Sequence, residues 1–332
     1  MTRERAKFSA STLAIALATT VCLTGCLGEQ RTMQPLSVQG LEGALVVSDQ
    51  NAGELRLAAN RFVPLAENIL RQLDPAQPES EIAKLNQVGA TARLPLSLHT
   101  FRPLDLARHY SQLAGRAYDY TARSVTELWR AGTPGEQALQ DALARTGMRY
   151  IESSNGGTIS FTSQGVSIDP GDLALAYAID TGIIDLRENL NGPFRLDIEG
   201  FTRIAGEFRE PQIVSIPLAP GRSATFEMAT HPALVIRTMN EISALGRGDT
   251  NTPPLRIDPR TGRPANGASL VAVAGPMLTK AYVLAEALLV TGWTGGQSML
   301  EKFDDCDVLI VDRTGQQHTT PGFAARWSAP SD

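Results

Sequence analysis

The apolar positions of the chain fall first into helical spacing and later into alternation. Across residues 53 to 73, Leu55, Leu57, Phe62, Leu65, Ile69 and Leu70 fall on a helical stripe. That spacing predicts a helix whose start Pro64 would delay. A turn at DPAQPES precedes a short helix carrying Ile82 and Leu85, and residues 104 to 115 and 121 to 131 predict two more helices. From residue 149 the pattern alternates, with Asn155-Gly156 as a hairpin signal. An amphipathic helix is expected at 172 to 190. Short strands are expected in FRLDIEGFTRIAGEF, QIVSIPL, SATFEMA and ALVIRTM. A Pro/Gly-rich loop at 247 to 267 leads to strand SLVAVAG, a helix at 277 to 291 and a strand at 307 to 312. Helices followed by an antiparallel run with inserted helices predict an α+β fold.

The N-terminus has another character. Arg3, Arg5 and Lys7 precede an apolar run from Leu13 to Leu23, shorter than the ~20 apolar residues a spanning helix needs. The run ends in Leu23-Thr24-Gly25-Cys26, which resembles the lipobox of bacterial lipoproteins. Residues 1 to 25 are therefore expected to be an export signal and Cys26 the lipidated new N-terminus. Acyl chains would then be the membrane anchor. Leu27 follows the cysteine, and by resemblance to the usual sorting pattern this favours the outer membrane, facing the periplasm. Residues 26 to 42 read as a tether, because 27 to 40 carry no periodic apolar pattern, while Ala44 to Val47 can open the first strand.

Composition narrows the function classes. The chain carries a formal charge of -5, and loss of the basic signal makes the mature protein more acidic, a poor partner for nucleic acid. Once Cys22 leaves and Cys26 is lipidated, Cys306 is the one thiol, so no intrachain disulfide is expected. His99, His109, His231 and His318 show no metal-ligand spacing.

Six segments then occur in a telling order: LDPAQPESEIAKLN, GRAYDYT, IDPGDLALAYAID, RLDIEGFTRIAGE, IDPRTGRPANG and AYVLAEALLVTG. Together they resemble the ApbE flavin transferases, over about residues 45 to 315. The resemblance implies a two-lobed α+β fold with an antiparallel sheet core and flanking helices. On that basis the chain divides into signal (1–25), tether (26–42), ApbE-like domain (43–315) and C-terminal tail (316–332). The family's activity would be Mg2+-dependent transfer of FMN from FAD to a Ser or Thr of a periplasmic flavoprotein. The retained positions Ala117, Tyr118, Asp119, Asp169, Ile257 and Asp258 would bind the cofactor. Independently, Asp258-Pro259 and Thr261-Gly262 favour a tight turn able to present N–H groups and Arg260 to an anion.

The departures fall on chemistry. The metal-binding Asp and Thr of the family correspond to Tyr282 and Glu286, and a third metal contact falls at Asp172. Asp172 and Glu286 either form a different carboxylate pair for magnesium or are surface carboxylates at element ends. The family histidine falls at Leu255 or Arg256, a flavin contact at Leu175, an early stacking Tyr at Ala76, and an Asp at Phe201. A Thr-Ser-Gly element becomes Ile236-Arg237-Thr238. Leu85, Tyr177, Asp180, Gly200, Gly262 and Gly292 are kept. Two functions remain open: a divergent flavin transferase, or an inactive flavin-binding or assembly lipoprotein. Membrane attachment separates from both. Cys26→Ala is expected to leave the protein unprocessed or soluble in the periplasm, and its persistence in salt-washed membranes would reveal another anchor.

Overall fold

The computed structural model describes residues 31–48, 52–154, 156–219, 221–228, 231–239 and 256–328. The expected signal, Cys26, Asn155 and Leu255 lie outside them.

Two strands, β1 (Arg31–Val38) and β2 (Leu41–Ser48), come first, followed by α1 (Ala52–Leu73), α2 (Glu81–Val88), β3 (Leu94–Pro95), α3 (Leu98–Leu113), α4 (Arg123–Ala131) and α5 (Glu136–Leu143). A small hairpin, β4 (Ile151–Ser153) and β5 (Thr158–Phe161), leads to α6 (Leu173–Asn189). Then come β6 (Phe194–Ile198), β7 (Phe201–Ala205), β8 (Gln212–Ala219), β9 (Arg222–Met228) and β10 (Ala233–Thr238). The chain closes with β11 (Ile257–Asp258), β12 (Arg263–Pro264), β13 (Leu270–Gly275), α7 (Leu278–Leu300), β14 (Asp307–Val311), β15 (Gln317–Thr319), α8 (Pro321–Ala324) and β16 (Trp327–Ser328).

The expected α+β class holds. One eight-stranded sheet runs in the order β1-β2-β6-β7-β10-β13-β14-β15, and each neighbouring pair is antiparallel. Strand alternation divides its side chains between two layers. Ala233, Val235, Val271 and Val273 join the main core with α1, α3, α6 and α7. Leu234, Ala272 and Ala274 face a second core under β8, β9 and α8. A third, small cluster of Val125, Leu139 and Ala142 lies under α4 and α5.

Several expectations are corrected. The expected tether is largely strand: residues 31 to 38 pair along β2. Only Leu36 and Val38 of β1 are buried, so an edge strand left a weak alternating signal. The expected tail is also part of the fold, since Phe323 is buried and stacks on Phe226 at 4.2 Å. Pro64 does not delay α1. Its apolar stripe runs from Leu55 to Leu73 through the proline, while Leu57 faces solvent. Packing of that stripe outweighs one missing backbone hydrogen bond. Nor is α6 amphipathic at its start, for every residue from Leu173 to Ile179 is buried. It is a central helix between α1 and α7.

Helix α7 continues beyond its expected end, but Gly292 breaks it with φ 66° and ψ -173°. There the backbone touches the loop before β13: a Cβ on Gly267 would lie 2.4 Å from the Gly292 nitrogen. Asp180 of α6 caps the other end, accepting from the Leu278 and Thr279 N–H groups at 3.0 and 2.8 Å. Gly267→Ala is therefore expected to destabilise the protein by about 1–3 kcal/mol or more, as overpacking does. Urea denaturation checks this, and an unchanged midpoint would show that the contact yields.

Candidate functional site

The loop between α3 and α4 is held from within. Ser111 Oγ donates to the Tyr118 carbonyl at 2.5 Å, and Asp119 Oδ1 accepts from Thr121 N and Oγ1 at 2.8 and 2.6 Å. The other Asp119 oxygen accepts from Met148 N at 3.2 Å. This places Tyr118 against the loop entering α6, where its hydroxyl donates to the Pro170 carbonyl at 3.4 Å. Asp169 N in turn donates to the Tyr120 carbonyl at 2.8 Å.

Between these loops opens a cleft of ≈ 300 Å³, with Tyr118, Asp119, Asp169, Arg256 and Tyr282 among its walls. Arg123 and Arg130 of α4 also line it. Of the sequence-derived candidates, Tyr118, Asp119 and Asp169 share this cleft. Ala117 is buried beside it in the main core. Ile257 and Asp258 do not line it. Ile257 packs on the Val125 cluster, and both Asp258 oxygens accept from Arg260, at 2.9 and 2.8 Å. The tight turn exists as expected, with Gly262 at φ 68° and its N–H donating to the Asp258 carbonyl at 2.8 Å. Its Arg260 points to a second cavity of ≈ 550 Å³, lined also by Arg108, Arg116 and Arg149. The residue that does reach the first cleft from this region is Arg256.

Burial sets the chemistry of the cleft. It pushes the Asp169 carboxyl above the usual carboxylate range, opposed by the Gly171 N–H and by Arg123 and Arg130. It likewise raises the Tyr282 phenol well above its ordinary value, and the Glu286 and Asp172 charges add to that shift. Tyr282 is thus a neutral phenol. None of the four histidines lines either cavity. His231 pairs with Asp307 at 2.8 Å, and His318 stacks on Trp293 at 5.3 Å.

Directly behind Tyr282 lies a group centred on Arg237, where the resemblance implied a Thr-Ser-Gly element. Arg237, 1 % exposed, projects from β10 into the main-core layer. Its Nη2 donates to Asp172 Oδ2 at 2.5 Å and its Nε to Glu286 Oε1 at 3.2 Å. The guanidinium also lies 5.5 Å from the Phe201 ring and 5.6 Å from the Tyr282 ring. Arg256 Nε approaches Glu286 Oε2 at 3.1 Å. Asp172 and Glu286 are thus buried rather than surface carboxylates, and arginine occupies them. Among the described residues no group of three or more His, Cys, Asp or Glu is arranged to hold a metal ion. Magnesium requires near-octahedral oxygen ligation, so these residues do not fit it. The available signal was alternation: in ALVIRT, position 237 shares a face with buried Ala233 and Val235, and an arginine there demands partners.

The fold has close relatives in shape. The chain is similar to the ApbE protein of Thermotoga maritima, with TM-score 0.77 and 20 % identity over 90 % of this chain and 99 % of that one. It is similar to the flavin transferase ApbE of Vibrio cholerae, with TM-score 0.74 and 19 % identity over 90 % and 100 %. The flavinyl transferase ApbE of Pseudomonas stutzeri, in its apo form, matches with TM-score 0.77 and 18 % identity over 93 % and 100 %. No curated protein matches the chain by sequence. The family model described as ApbE family covers residues 40–310. By this match over most of its length, the chain belongs to the ApbE family.

Proposed function

We propose that this ApbE-family protein binds a flavin nucleotide such as FAD and does not transfer FMN. In this reading it is anchored by lipid on Cys26 to a membrane facing the periplasm, with the outer membrane favoured. The carrying observation is the composition of the cleft. Tyr118 and the guanidiniums of Arg123, Arg130 and Arg256 line it, which suits an aromatic ring and a pyrophosphate. Among the described residues no histidine and no metal-ligand set accompanies them. Leu175, where the resemblance implied a polar flavin contact, is wholly buried in the core. Holding a nucleotide needs donors and apolar surface, whereas transfer also needs a proton acceptor and charge stabilisation at the reacting phosphate. Loss of a general base alone typically reduces the rate about 100- to 10,000-fold.

A second reading, residual transfer to a Ser or Thr of a periplasmic flavoprotein, draws on Asp169. Its raised carboxyl pKa and position in the cleft suit a proton acceptor. One assay separates the readings. Protein, FAD, Mg2+ and a flavin-accepting domain are mixed, and the gel is viewed for flavin fluorescence. No acceptor band is expected, and a fluorescent band would establish transfer.

Binding has its own test. FAD fluorescence should change on titration, and Arg130→Ala should weaken the affinity about tenfold, the scale of one charge-assisted hydrogen bond. Equal affinities would remove Arg130 from the site, and no response at high micromolar FAD would remove the flavin.

Asp169 also predicts a pH dependence. In the folded chain it keeps its proton to higher pH than when unfolded. Its contribution to stability is therefore full below the ordinary carboxylate pKa and is lost as pH rises through the raised value. Asp169→Asn should raise the Tm at neutral pH, and the gain should vanish in acid. A gain independent of pH would contradict the assignment.

A further inference from the structure

We infer that Arg237 is a built-in replacement for a divalent cation: its guanidinium bridges Asp172 and Glu286, so the site excludes metal and the cleft works metal-free. The statement about the cleft rests on the flavin-binding reading; the statement about metal does not.

Five observations converge. Asp172 is 0 % exposed and Glu286 8 %, so their charges need compensation inside the fold. One planar guanidinium supplies it to both, from Nη2 and from Nε, a bridging geometry that an ammonium point charge would not reproduce. Arg256 adds a second positive charge on Glu286, which brings this group of four to balance. A dication entering here would meet two guanidiniums that cannot be deprotonated. Next, Arg237 is confined. Phe201 and Tyr282 cover it, and Tyr118 packs edge-on against Tyr282 at 5.9 Å, so the guanidinium cannot swing out of the way without opening the cleft floor. Last, the ligand set is short, since no third carboxylate, thiolate or imidazole joins the pair among the described residues.

The exchange changes what the cleft can do. A guanidinium offers fixed positive charge and directed N–H donors, but no open coordination position for a phosphate oxygen.

Mn2+ serves as the probe, with free ion followed by electron paramagnetic resonance. The wild-type protein is expected to take up no Mn2+ below millimolar concentration, and its Tm should be the same in millimolar Mg2+ and in EDTA. A bound dication would shift Tm by several degrees through linkage. Arg237→Ser should release the two carboxylates and create one Mn2+ site, which adding Glu286→Gln should abolish, while Arg237→Lys should remain metal-free. Stoichiometric sub-millimolar Mn2+ binding by the wild type, lost in Glu286→Gln, would overturn the inference. Should Arg237→Ser fail to fold, the wild-type uptake and Tm comparison decide alone. In a parallel titration, FAD affinity should be equal with Mg2+ and with EDTA, and a tenfold loss in EDTA would also overturn it. Failure of FAD to bind under either condition would sink the flavin reading and leave the Mn2+ result standing.

Discussion

An arginine inside a protein core keeps its proton, so the surrounding elements must bring negative charge to it. Around Arg237 that requirement is met from three directions. The loop entering α6 brings Asp172, α7 brings Glu286, and the aromatic faces of Phe201 from β7 and Tyr282 from α7 complete the enclosure. The sheet, the central helix and the long C-terminal helix are thereby tied at one point. Removing a single member would strand a charge in the core, a more severe defect than losing a contact. The group sits immediately behind the cleft, so the polarity of the cleft floor is set by the same interaction that joins the layers.

Much of the fold could be read from the sequence because burial there follows simple periods. α1, α7, β13 and β14 bury continuous stripes or runs, and their patterns predicted them. The failures share a cause. β1 is an edge strand with two buried residues, and the C-terminal segment contributes little more than Phe323 to the second core. Elements that bury little leave little pattern. The cleft was legible through Tyr118, Asp119 and Asp169, which the resemblance singled out and the fold brings to one cleft. Ile257 and Asp258 do not line that cleft. Their turn is genuine, but its polar groups satisfy one another through Arg260, and nothing local in the sequence reveals which cavity a turn faces.

Retained and replaced positions also sort by physical role. Asp180 caps α7, Gly292 ends its first segment against Gly267, and Gly262 closes the turn bound by Trp129 Nε1 at 2.7 Å. These keep the backbone in place and owe nothing to a reaction. Phe201, Tyr282 and Arg237 stand where the resemblance implied polar or metal-binding groups, and they contact one another. They are therefore a single coupled change. An arginine at 237 without the two ring faces would be poorly enclosed, and a phenylalanine at 201 beside a bare carboxylate pair would leave the charges uncompensated.

That coupling bears on whether the site could be returned to metal chemistry by one substitution. Removing Arg237 frees two carboxylates, but Arg256 still neutralises Glu286 and the buried Tyr282 phenol still occupies the adjoining turn of α7. A dication held by the two freed carboxylates would complete its octahedral shell with water or phosphate. No histidine reaches the cleft to take a proton from an acceptor hydroxyl. Regaining a metal would thus not by itself supply the proton acceptor that transfer of FMN needs. On the proposed reading, the nucleotide depends on Tyr118 and the arginines of α4, which line the same cleft. An anion there meets Arg130, together with Arg123 and Arg256, which carry ion pairs to Glu127 and Glu286, whether or not a dication is present, so a holding function is compatible with a core that has closed over its own cation.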